Sequence, residues 1–369
     1  MSQHTGNGHH ESAAHDPRHD QDPSHGHHDP SAHAGHSAHA GHGTPDGIDW
    51  DAMGPMLEQN AEISRPQYEE AARWIAGLPT APQVRRVLDI GSGPGVVTCL
   101  LAETFPGAEV VAVDGTPALL ERTGERAERL GLGDRVRVRQ ADLPDDLGGL
   151  GEADLIWMGN TLHHLGDQRA ALAGFAGLLR PGGTIALVEG GLQPRRLPRD
   201  IGFGRPGLEA RLEAINTDRF EDMRAALPDA KRESEDWSAL FAAVGLEPQG
   251  TRSFLLDIPA PVPEPVREDA VIEFGRWREA FAEYLTAEDA AALDRLLDPA
   301  DPAGLRRRPD LFLLSARTVH LGRRARARRA GGGWRGRGDR RGRKAGFRRS
   351  DGVKGRHASA GVSGHQKVP

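Results

Sequence analysis

The 369-residue chain predicts an α/β fold: a Rossmann-like seven-stranded sheet, six strands parallel and the last antiparallel, with helices on both faces and disordered tails. Three observations carry the prediction. Short apolar β-type runs alternate with helical patterns from Val84 to Leu321. The first run, Val84 to Ile90, feeds the glycine turn Gly91-Ser92-Gly93-Pro94-Gly95, from which a helical pattern runs to about Phe105. Three successive strands carry a carboxylate at or near their ends: Asp89, Asp114 and Asp142.

Ahead of the first strand, Met53, Met56 and Leu57 have helical spacing. A second helix is expected after Pro66, through Tyr68, Ala71, Trp74 and Ile75, ending before Gly77 and Pro79. The second strand is Val110-Val111-Ala112-Val113-Asp114. A helix follows it, with Thr116 as N-cap and Pro117 at the first helical position. Arg135 to Arg139 alternates valine and arginine, which suits a strand near a sheet edge, and the third strand is expected to end at Asp142. Asp154 to Met158 is the fourth strand, Asp167 to Arg180 a helix stopped by Pro181-Gly182-Gly183, and Thr184 to Glu189 the fifth strand. A helix is expected from Leu208 to Leu227, another from Asp236, a sixth strand from about Glu247 to Ile258, and a seventh from Leu311 to Leu321. Between the last two strands, Phe274, Trp277, Phe281 and Tyr284 recur on one helical face, a pattern of core packing or of an apolar substrate wall. Thr286-Ala287-Glu288-Asp289 opens a further helix.

The glycine turn discriminates between two nucleotide ligands. A dinucleotide fingerprint spaces its glycines G-x-G-x-x-G so that a pyrophosphate sits on the helix end. Here the spacing is G-x-G-x-G, and Asp89 lies two residues before the first glycine. A carboxylate there repels a pyrophosphate. It suits S-adenosylmethionine (SAM), whose ammonium is drawn to Asp89 while its carboxylate takes helix-end N–H groups. Asp114 can accept from both ribose hydroxyls, a feature that NAD sites share. Asp142 can accept from the adenine amino group.

With these residues the chain resembles the class I SAM-dependent methyltransferases, well from Val84 to Gly191 and weakly elsewhere. Gly159-Asn160-Thr161-Leu162-His163-His164-Leu165 is similar to the segment after the fourth strand in the small-molecule branch, which includes quinone-biosynthesis methyltransferases. Leu178-Leu179-Arg180-Pro181-Gly182-Gly183 resembles the turn before the fifth strand. The resemblance implies SAM as cofactor, with Asp89, Gly91, Gly93, Gly95, Asp114, Asp142, Leu143 and Asn160 around it. It implies helices over the site at 50–77, variable substrate segments at 192–235 and 259–309, and in-line methyl transfer to O, C or N of a small organic acceptor. His163 and His164 border the acceptor. A neutral imidazole can take a hydroxyl proton near pH 7, and His164 is the preferred base. The bland reading is that one histidine packs and the other bonds backbone.

Composition sets the remaining bounds. A single cysteine, Cys99, excludes disulfides within the chain and a cysteine-only metal cage. No apolar stretch reaches the roughly 18 residues of a membrane span, and no signal-peptide core is seen, so no membrane partner and a cytoplasmic location are expected. Residues 1–46 hold twelve of the seventeen histidines without periodicity and are expected to be disordered, either as a plain soluble extension or as a metal-binding one. Residues 322–369 carry sixteen Lys or Arg against two acids, a local +14, leaving −20 on residues 1–321. The catalytic domain is therefore bounded at 47–321, and its acidity makes nucleic acid a poor partner outside the basic tail. Two other functions stay open: an RNA or protein methyltransferase docking through that tail, and a non-catalytic, metal-responsive SAM-fold protein.

Overall fold

The computed structural model describes residues 50–326. The expected tail segments 1–46 and 322–369 lie outside the described residues, apart from residues 322–326. The strands are β1 (Arg86–Ile90), β2 (Glu109–Asp114), β3 (Val136–Gln140), β4 (Ala153–Gly159), β5 (Leu179–Arg195), β6 (Leu246–Ile258) and β7 (Leu313–Arg324). They form one seven-stranded sheet in the order β3-β2-β1-β4-β5-β7-β6. Neighbours from β3 through β5 pair in parallel, and β7 runs antiparallel between β5 and β6. Six strands thus share a direction and the last opposes them, as expected. β3 lies at an edge, where its alternating arginines stay exposed.

The central strands are apolar on both sides because helices cover both faces. On one face, α1 (Trp50–Ala76) and α2 (Val96–Thr104) pack Ala71, Ala72, Ile75, Leu101 and Phe105 onto Val87, Leu155 and Trp157. On the other, α4 (Gln168–Gly177) and α6 (Trp237–Ala243) pack Leu172, Phe175, Leu240 and Phe241 onto Leu88, Ile90, Ile156 and Leu187. Each fully buried Leu, Ile or Phe contributes about 1.5–3 kcal/mol. α3 (Pro117–Arg129) follows β2. A third cluster joins α5 (Leu208–Ala226), α7 (Glu264–Ala280) and α8 (Ala287–Leu297) to Leu256 and Leu313 of the last two strands. Phe274 and Phe281 of the aromatic stripe belong to this core, whereas Tyr284 is exposed.

Several boundaries differ from expectation. The two N-terminal helices are one, with Pro55 and Pro66 inside it. An interior proline removes one helical hydrogen bond and costs about 3 kcal/mol. The helix survives because its second half buries Tyr68, Ala71, Ala72 and Ile75, and its first half is tied to α3 by Arg126, which pairs with Glu58 at 2.9 Å and with Glu62. β3 ends at Gln140, so Asp142 lies two residues beyond the strand it was expected to close. β5 begins at Leu179, opposite Ala153, and resumes at Thr184, opposite Leu155; the Pro-Gly-Gly segment bulges between them. β7 extends to Arg324, which moves the domain's end past 321 into the segment 322–369 assigned to the tail. Arg323 and Arg324 are held there by pairing with Glu247 and Leu246 of β6.

Candidate active site

The glycine turn sits between β1 and α2, at the carboxyl ends of the parallel strands. Gly91 N–H and Ser92 N–H donate to the Val113 carbonyl at 2.8 and 3.0 Å, which ties the turn to β2. Gly93 N–H donates to Asp114 Oδ2 at 2.9 Å, and Thr116 N–H donates to Asp114 Oδ1 at 2.9 Å. Each carboxylate oxygen retains a second lone pair. Gly91 and Gly95 have φ of +69° and +78°, and a Cβ on either would strike a threonine: Thr161 at 2.1 Å or Thr123 at 2.6 Å. A Cβ on Gly93 would meet nothing within 4 Å. The outer glycines are therefore demanded by packing beneath the turn, and the middle one faces open space.

Asp89 is 2% exposed and accepts the Thr98 hydroxyl at 2.6 Å. Burial pushes its carboxyl up to about 7; the Thr98 bond opposes this and the Asp114 charge adds to it. Asp142 is exposed, and Leu143 is buried in the core beside β4. Asn160 occupies the left-handed region at φ +51°, which asparagine tolerates better than most residues. Its N–H donates to the Val188 carbonyl at 3.1 Å, and its amide lies 3.4 Å from the Tyr68 hydroxyl of α1. Tyr68 packs edge-on against Trp157 of β4, with centroids 6.3 Å apart. All the expected cofactor residues thus lie on the ends of β1 to β4 or in the segments just after them, along one edge of the sheet.

The two histidines are differently placed. His163 Nδ1 lies 2.9 Å from Glu189 Oε2, and Leu162 N–H donates to Glu189 Oε1 at 3.0 Å. Glu189 is 5% exposed, so its geometry is fixed on both oxygens. The carboxylate is an acceptor, which assigns the proton of a neutral His163 to Nδ1 and leaves the Nε2 lone pair available. Phe220 of α5 meets the His163 ring at 5.4 Å, and Arg224 donates to the His163 carbonyl. The His164 ring lies 4.2 Å from that of His163 and is tilted against it, and burial, reinforced by the neighbouring His163, pushes it down to about 4. His164 is a weak base there. The structure gives the carboxylate partner to His163, the residue not preferred from the sequence.

A cavity of about 210 Å³ is lined by Asn60 and Ser64 of α1, Gln193 and Arg196 after Glu189, Glu209, Glu213 and Asn216 of α5, Trp277 of α7, and Ser315 and Arg317 of β7. The glycine turn and the strand-end acids do not line it. It adjoins them through two helices. Ser64 is one turn from Tyr68, the partner of Asn160, and Asn216 is one turn from Phe220, the neighbour of His163. Sequence reasoning missed Glu189, Arg317 and this cavity. Glu189 did carry a signal: like Asp89 and Asp114, it follows an apolar run in a strand with a parallel neighbour. Arg317 carried none. Among the described residues, no helix is long and apolar enough to cross a membrane.

Residues 88–185 match the family signature described as a methyltransferase domain. A trans-aconitate 2-methyltransferase of Methylobacterium radiotolerans is 36% identical over 38% of this chain and 48% of its own. Another, of Methylobacterium nodulans, is 29% identical over 73% of this chain and 99% of its own. A demethylmenaquinone methyltransferase of Thermus thermophilus is 33% identical over 30% of this chain and 49% of its own. The chain spans about half the length of the curated relatives it first matches. A solved SAM-dependent methyltransferase from Thiobacillus denitrificans, in complex with S-adenosyl-L-homocysteine, overlays with a TM-score of 0.35 at 20% identity, covering 64% of this chain and 84% of that one. Sheet order, glycine turn and matched domain define a nucleoside-binding α/β protein. Over residues 88–185 the chain is similar to a methyltransferase domain, as the resemblance to class I SAM-dependent methyltransferases implied, and SAM is the cofactor such a domain implies.

The residues present fit that cofactor. Ser92 Oγ in the turn is buried without a partner, as are both amide atoms of Gln67, which is 1% exposed and next to Tyr68. Buried polar atoms of this kind are costly unless something pairs with them. Together with the open space in front of Gly93, they mark where a polar ligand is accommodated.

Proposed function

We propose that the chain methylates a small organic molecule held in the cavity between α1, α5 and β7. The observation that carries this reading is the junction at Asn160 and Tyr68, where the glycine turn's edge of the sheet meets the helix that walls the cavity. Relatives named for trans-aconitate and demethylmenaquinone support a small-molecule acceptor.

Asp114 holds the ribose hydroxyls, Asp142 and Leu143 the adenine, and Asp89 draws the ammonium. The N-terminus of α2 takes the carboxylate. SAM, when bound, supplies a methyl group already activated on a sulfonium, so the protein's task is alignment and exclusion of water. For a hydroxyl acceptor, His163 Nε2 takes the proton while Glu189 holds the ring and stabilises the imidazolium.

Calorimetry with Asp114→Ala tests the cofactor half. SAM affinity falls about tenfold or more, since hydrogen bonds to a charged group contribute about 1.5–3 kcal/mol each. The melting temperature separates this from loss of the turn, because Gly93 and Thr116 also lose their acceptor. NAD binds neither protein; tight NAD binding overturns the assignment. Turnover of labelled SAM with a small-molecule extract, and not with RNA or protein fractions, tests the acceptor half.

A further inference from the structure

We propose that Arg317 reads a carboxylate on the acceptor, so that the substrates are small organic acids. The inference rests on the acceptor-pocket reading above and comes from the charges that line the cavity.

Four carboxylates line it, and each is engaged within the protein. Asp269 pairs with Arg196 at 2.8 Å, both being 8% exposed. Glu209 accepts the backbone N–H groups of Arg196 and Leu197 at 2.9 to 3.1 Å. Glu213 pairs with Arg195, and Glu273 with Arg276 at 3.3 Å. The cavity's other cation, Arg196, is therefore paired, and three of the four acids face a guanidinium, while Glu209 keeps its charge among backbone N–H groups. Among the described residues, Arg317 has no carboxylate within salt-bridge distance, and its Nε is buried without an acceptor.

Its position is fixed by the sheet. Arg317 lies opposite Gly191 of β5 and Phe254 of β6, so its backbone is held on both sides. Gly191 has φ of +119°, and a Cβ there would lie 2.2 Å from the Ala316 carbonyl oxygen, so the two strands meet closely at this point. A half-buried guanidinium without an anion is electrostatically incomplete, and its planar fork matches a carboxylate with two parallel hydrogen bonds. Gln193, Asn216 and Ser315 line the same cavity and supply neutral donors, while Trp277 supplies an apolar wall. Such a pocket favours an acid whose carbon skeleton is flat or unsaturated, with the reacting atom towards Asn160 and His163.

The test uses the full chain and matched acceptors that differ only in charge: benzoate, 4-hydroxybenzoate and fumarate against benzamide, 4-hydroxybenzamide and fumaramide. Binding is read by calorimetry with saturating S-adenosylhomocysteine, and turnover with labelled SAM. The acids are expected to bind about tenfold or more tightly than the amides. Arg317→Gln should remove that preference without changing SAM affinity, and Arg317→Lys should restore part of it. Equal binding of acids and amides overturns the proposal. So does a preference for acids that persists in Arg317→Gln, or failure of every acid to bind while SAM binds normally. If SAM itself does not bind, the cofactor reading fails first and the pocket loses its assignment with it.

Discussion

Substituting His163→Gln is expected to lower kcat by about 10²–10³-fold for a hydroxyl acceptor, with SAM affinity unchanged. General-base catalysis of that size requires a lone pair held in one orientation. His163 has it because Glu189 fixes Nδ1 at 2.9 Å and is itself fixed by the Leu162 N–H. Glu189→Gln should lower kcat less, because it removes the charge that stabilises the imidazolium but retains a polar partner. Glu189 acts through His163, so its test needs a readout besides rate. Nitrogen NMR of the imidazole should show Nδ1 protonated in the wild type and a mixed tautomer population in Glu189→Gln. His164→Gln should leave the rate profile above pH 5 unchanged, since burial holds His164 neutral there. An acidic phenol acceptor should recover most of the His163→Gln loss, because it arrives already ionised. An unchanged kcat in His163→Gln would remove base catalysis by this residue and leave alignment and desolvation as the mechanism.

The legible part of this fold was the part that local chemistry dictates. Apolar runs with period-two or continuous burial gave the strands, and glycines at 91, 93 and 95 gave the turn, because backbone conformation at those positions excludes a side chain. The antiparallel direction of the last strand came from the resemblance to the methyltransferase fold, since alternation of strands and helices by itself favours parallel pairing. What stayed hidden depends on contacts between distant segments. Glu189 and His163 lie 26 residues apart and meet only because β4 and β5 are neighbours. Asp142 was placed on a strand that stops short of it, since β3 is an edge strand with little burial to extend its pairing. Pro66 signalled a break, but the core contacts of Tyr68 and Ile75 outweigh one lost hydrogen bond. The cavity draws on α1, α5, α7 and β7, so no window of sequence contains it.

The second large effect is expected at Asp89. Its carboxyl is pushed up to about 7, chiefly by burial, although it accepts a hydroxyl from Thr98. In the unfolded chain the same group titrates near 4. Between these values the folded protein holds a proton that the unfolded chain has released, so this group's contribution to stability falls as pH rises from about 4 to about 7. His164 has the opposite slope over part of that range. Its folded value of about 4 lies below the ordinary value of 6.5, so stability from it is lost as pH falls. The two slopes oppose each other in the wild type, and Asp89→Asn is expected to leave the histidine's. The variant keeps an acceptor for Thr98 and carries no charge. Measured without SAM, its stability relative to the wild type should be near zero at pH 4 and grow to a gain of a few kcal/mol by pH 8. SAM affinity at pH 8 should move the other way and fall, because the carboxylate that draws the ammonium is gone. A residue that destabilises its own fold at working pH and strengthens a ligand there is retained for the ligand. If chemical denaturation shows a pH-independent difference between Asp89→Asn and the wild type, burial has not raised this group. If SAM binds the variant as tightly as the wild type at pH 8, Asp89 serves the turn and not the cofactor.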